Sequence, residues 1–147
     1  MTLKQWFDNG WLKQHRSSRQ EIADLLAIVE RDLNDAKSGN ISSDWQFGIT
    51  YNAALKLCTI LLCAEGFRAG HGLQHYRTIQ ALSLILGGER QADADYLDVC
   101  RVKRNIVEYD RSGTTSHAEA QELISFVEEF REDVLDWLRT NYRELVS

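Results

Sequence analysis

Apolar residues return at helical intervals along most of this chain. Between Ser18 and Gly39, the positions Ile22, Leu25, Leu26, Val29 and Leu33 share one face and predict an amphipathic helix. Ser17 or Ser18 can cap it, Glu21 stands at capping-box distance from Ser18, and Gly39 ends it. The next stretch opens at Ser43 or Asp44 and runs to about Arg68. It is apolar on most sides from Ala53 to Ala64, the pattern of a central helix. A shorter helix follows in "GHGLQHYRTIQALSLILGG", closed by Gly87 and Gly88. Another spans "QADADYLDVCRVKRNIVEYD" and stops at the turn "RSGTT". The last and longest carries Leu123, Phe126, Val127, Phe130, Val134, Trp137 and Leu138 on its inner stripe. Near the N-terminus, Trp6, Phe7, Trp11 and Leu12 anchor a short helix that Gly10 interrupts.

Five main helices and an N-terminal helical turn, joined by short polar loops, predict an all-α antiparallel bundle. Its expected organisation is a single domain over 1–147, with an N-terminal segment, 1–17, and a bundle, 18–145. The chain of 147 residues is long enough for a real core. Proline is absent, which also favours helices and short connections.

Composition narrows the function classes. The net charge of -5 argues against a generally basic nucleic-acid coat, though not against a local basic patch. No run of eighteen apolar residues predicts a membrane span. "MTLKQWFDNGW" lacks the continuous apolar stretch of a secretory signal. A cytoplasmic protein without a membrane partner is expected. The three cysteines have no metal-type pairing, and Cys58 and Cys63 sit in an apolar run, so they read as reduced core thiols.

Little in the sequence marks a catalytic site. His71 and His75 stand four apart, a spacing that can hold zinc on a helix. Gly72 occupies the place of a metalloprotease glutamate, and Gly70 and Gly72 put His71 in a loop, so no metal or cofactor is expected. His75 reads as a helix-start residue, and His15 and His117 as exposed or capping positions. No glycine-rich phosphate loop is present. The densest polar stretch is "CRVKRNIVEYD", Cys100 to Asp110. At about 100° per residue, Val99, Val102, Ile106 and Tyr109 share a stripe expected to face the core. Asn105 falls at its edge, with Arg101, Arg104 and Glu108 beyond.

Three stretches together resemble the HEPN superfamily of small all-helical domains: "YNAALKLCTILLCAEGFRAG", "HYRTIQAL" and "RNIVEYD" leading into a long C-terminal helix. The resemblance covers roughly Asp44 to Tyr142. It implies a four- or five-helix core and, in members that cleave RNA without metal, an arginine followed after four to six residues by a histidine. Those enzymes act as dimers that bring two motifs together. Carried onto this chain, Arg104 matches the arginine and Asn105 the polar residue after it, while Tyr109 stands where the histidine belongs. A phenol titrates near 10 and is a poor general base at neutral pH. The reading is therefore a non-catalytic binding or assembly module, a homodimer using the Arg104–Tyr109 face. Its candidate binding residues are Arg101, Lys103, Arg104, Glu108 and His75, and His75 or His71 are the neighbouring proton carriers. The resemblance also implies a nucleotidyltransferase-type partner in a toxin–antitoxin-like pair. The alternatives are a metal-independent endoribonuclease with Arg104, Asn105 and Tyr109 as catalytic candidates, and RNA or nucleotide binding without cleavage.

Overall fold

A computed structural model describes residues 1–109 and 113–146, with side chains for 1–106 and 113–146. It is an all-α helical bundle. Among the described residues the helices are α1 (Leu3–Asp8), α2 (Arg19–Ala36), α3 (Ser43–Ala64), α4 (Gln74–Leu86), α5 (Gln91–Tyr109) and α6 (His117–Asn141). One small antiparallel ribbon, β1 (Leu12–Gln14) with β2 (Phe67–Ala69), pairs Leu12 with Ala69 and Gln14 with Phe67.

The apolar helix α3 is the axis, packed by α2, α4, α5 and α6. Leu57, Ile60 and Leu61 are fully buried on it, each contributing on the order of 1.5–3 kcal/mol. By length and composition α3 could cross a bilayer, but 72% of its most apolar window is inside the bundle. On α2 the expected face is inside, with Ile22, Val29 and Leu33 buried. On α6 the buried residues are Leu123, Val127, Phe130, Val134 and Leu138, with Phe126 and Trp137 partly buried against the same core.

The caps differ from the expected ones in instructive ways. Ser18 caps α2 by accepting from the Glu21 N–H, but the Glu21 carboxylate faces His15, Ser17 and Arg68 instead of closing a capping box. Ser42, not Ser43 or Asp44, caps α3. Asp44 instead accepts from the backbone N–H groups of Gly113 and Thr115, clasping the start of α6. The helix expected to reach Arg68 ends at Ala64, because Gly66 takes φ +91°, a conformation that glycine adopts without strain. The chain then turns into β2 and meets β1. Met1–Ser17 folds onto its own bundle. Leu3, Trp6 and Phe7 pack with Leu12, Leu62, Ala81 and Phe67 in a second, smaller core. His15 is no bare surface residue, since its imidazole lies 2.8 Å from Glu21.

Candidate anion-binding face

The helix α5 is turned differently from the sequence expectation. Ala94, Leu97 and Cys100 are buried, while Val99, Val102 and Ile106 are 66%, 46% and 40% exposed. At 100° per residue Val102 lies about 140° around the helix from Leu97, so the two stripes cannot both face inwards. The short stripe Ala94–Leu97–Cys100 prevails because Arg101 and Arg104 continue it. Both are half-buried, their long side chains lying along the bundle with the guanidinium groups set over aromatic rings. The Arg101 guanidinium lies 5.7 Å from the Tyr76 ring centre, and that of Arg104 lies 5.8 Å from Tyr51, both within cation–π range. The expected core stripe of Val99, Val102 and Ile106 is thus an exposed row, and Asn105 is exposed beside it.

Four basic groups from three helices converge on this flank. Arg101 and Arg104 come from α5, Lys56 from α3 and His75 from the first turn of α4. His75 is exposed, yet partial desolvation, and then the charges of Arg104, Lys56 and Arg101, hold its imidazole below the ordinary value. Such an imidazole is neutral near pH 7 and can accept a proton beside cations suited to phosphate oxygens. Arg101 also binds Asp98 at 2.8 Å. His71 lies before α4 and shares with His75, Tyr76 and Arg101 a shallow cleft of about 430 Å³. A larger cleft, about 700 Å³, opens on the other side of Arg104 between Trp45, Gly48, Ile49 and Asn52. Buried Asp32 forms its floor, receiving a 2.7 Å hydrogen bond from Asn52.

Of the residues singled out in the sequence, the fold gathers Arg101, Arg104 and His75. Lys103 points elsewhere: its ammonium sits 3.0 Å from Glu119 and 3.2 Å from the Thr114 carbonyl, fastening α5 to the start of α6. The side chains of Glu108 and Tyr109 lie outside the described residues. Two members of the site were not marked in the sequence reading. Lys56 is a lone charge on an otherwise apolar stretch of α3, a signal that was legible. Tyr51 gave none, because a tyrosine in a core helix is ordinary. Burial raises its phenol above the usual range, against the opposing pull of Arg101 and Arg104. Compared with known proteins, the chain matches no family model, no curated protein and no solved structure.

Proposed function

We propose that this protein is a HEPN-like binding and assembly module that works as a homodimer closed through α5. The observation that carries this reading is the row Val99, Val102 and Ile106, exposed on a helix whose opposite side already fills the core. Three β-branched side chains in line leave apolar surface in water, which marks an interaction face. A second copy suits this face because an identical apolar row is complementary to itself. Antiparallel pairing about a two-fold axis lays valines on valines.

Each copy keeps its Lys56, His75, Arg101 and Arg104 on the flank of α5 turned away from this row, so the pair presents two such basic groups. The combined surface suits an anionic partner, either RNA or the acidic face of a nucleotidyltransferase-type protein in a toxin–antitoxin-like pair. Sedimentation equilibrium at micromolar concentration tests the assembly. The wild type is expected as a dimer and Val102→Asp as a folded monomer with unchanged helical circular dichroism. A wild type that stays monomeric throughout overturns the reading.

One observation favours a second reading, a metal-independent ribonuclease. His75 supplies from α4 the imidazole that Tyr109 cannot, next to Arg101 and Arg104. In an RNA-cleavage assay, Arg104→Ala and His75→Ala should each abolish cleavage while the fold is retained. Equal cleavage by wild type and both variants removes this reading.

A further inference from the structure

Away from α5, the loop after β1, the first turn of α2 and the last turn of α3 bring together an imidazole, a carboxylate and a thiol. The Nε2 atom of His15 lies 2.8 and 2.9 Å from the two oxygens of Glu21. The buried thiol of Cys63 completes a group whose ligand atoms all fall within 4.8 Å of one another. The three donors come from three separate segments, so their meeting is a product of the tertiary fold. His15 and Cys63 adjoin an open cleft of about 610 Å³ that Ser17, Gly66 and Tyr142 also line.

We propose that His15, Glu21 and Cys63 form a binding site for a divalent transition metal, zinc foremost, with the fourth coordination position open to this cleft. A nitrogen, a thiolate sulfur and a single carboxylate make a set that suits zinc, whereas magnesium and calcium take oxygen ligands. Ligand atoms around a tetrahedral zinc stand about 3.5 Å apart. The Cys63 sulfur therefore has to come closer by roughly 1 Å while the His15 nitrogen parts slightly from the Glu21 oxygens, within the reach of side-chain rotation at His15 and Glu21, each about a quarter exposed.

The Cys63 thiol loses its proton on coordination and the proton leaves to solvent. One thiolate and one carboxylate then neutralise the dication, and the imidazole binds in its neutral form. Arg68 bonds one Glu21 oxygen, Oε2, at 3.1 Å and also lies beside the Cys63 thiol, so it keeps one positive charge next to the loaded site. Oε1, which accepts from the Ser17 hydroxyl at 2.8 Å, exchanges that bond for the metal. The buried Nε–H of Arg68 has no hydrogen-bond partner among the described residues. Without a metal, burial pushes the Cys63 thiol up to about 11, too high for a nucleophile at neutral pH. Coordination removes that proton outright.

The test uses the full chain, stripped with a chelator and titrated with Co²⁺ and Zn²⁺. One equivalent of Co²⁺ should produce a thiolate-to-cobalt charge-transfer band in the near ultraviolet, which Zn²⁺ bleaches by displacement. Cys63→Ser should abolish the band. Because that variant alters the core, His15→Ala provides the decisive arm: with native circular dichroism, its zinc affinity should fall at least about tenfold, the scale of losing even an outer partner. His71→Ala and His75→Ala should bind as the wild type does. Absence of the thiolate band at one equivalent overturns the site, as does unchanged affinity in His15→Ala.

Discussion

The guanidinium carbon of Arg104 lies 5.8 Å from the centre of the Tyr51 ring. The hydroxyl of that ring is buried without a hydrogen-bond partner among the described residues. The ring therefore supports the cation through its face, while its hydroxyl carries a desolvation penalty on the order of 1–3 kcal/mol. Tyr51→Phe keeps the ring and removes the penalty, so urea denaturation should show stability unchanged or raised by about 1 kcal/mol. A loss larger than about 1 kcal/mol would mean that the hydroxyl is bonded. Tyr51→Ala empties a core site and should lose about 3–5 kcal/mol, the range for large aromatic truncations.

The orientation of α5 yields a paired prediction. Leu97 is fully buried, whereas Val102 is 46% exposed. Leu97→Ala should cost about 2–5 kcal/mol. Val102→Ser, measured at concentrations where the chain is monomeric, should stay within about 0.5 kcal/mol of the wild type. Comparable losses at the two positions would restore the valine stripe to the core.

Asp44 gives a pH-dependent prediction. Its hydrogen bond from the Gly113 N–H, helped by Thr115, outweighs desolvation and holds its carboxyl below the ordinary 3.8. A carboxyl lowered on folding contributes stability that is complete above the unfolded value and is lost as pH falls through the folded one. Asp44→Ala should therefore lose about 1–3 kcal/mol near neutrality, from two charge-assisted bonds at a partly exposed site. The gap between wild type and variant should close on acidification below about pH 4. A gap independent of pH would assign the loss to something other than the ionised carboxylate.

These residues also show how far the sequence could be read. The helices were legible because burial on α2, α3 and α6 follows the apolar spacing directly. The ribbon of Leu12–Gln14 with Phe67–Ala69 was not, since a three-residue strand carries almost no alternation and its partner is remote in sequence. The face of α5 was misread for a different reason. Two apolar stripes compete on that helix, and the winner is extended by arginine stems that any hydropathy pattern counts as polar. His15, Glu21 and Cys63 had no sequence signal at all, because only the folded chain brings a loop, a helix start and a helix end together. His75, Arg101 and Arg104 were noticed in the sequence, but Lys56 was not, because only the folded chain brings it beside them.

That cationic surrounding makes His75 the most direct reporter of the candidate face. Partial desolvation, followed by the charges of Arg104, Lys56 and Arg101, lowers its imidazole below 6.5. Removing one of those charges should shift the titration back towards 6.5, because a neighbouring like charge disfavours the protonated form. Proton–carbon NMR of the four histidine rings, with His75→Gln assigning the resonance, should show an upward shift in Arg104→Met and in Lys56→Met. Inorganic phosphate or a short RNA seated among these groups should act in the same direction, since an anion stabilises the imidazolium. A lowered folded value also has a consequence for stability. Between that value and 6.5 the unfolded chain binds the extra proton, so stability should rise with pH through this window in the wild type and rise less in Arg104→Met. If the His75 titration is the same in wild type, Arg104→Met and Lys56→Met, these cations do not act on the imidazole, and the convergence of Lys56, His75, Arg101 and Arg104 has no electrostatic meaning.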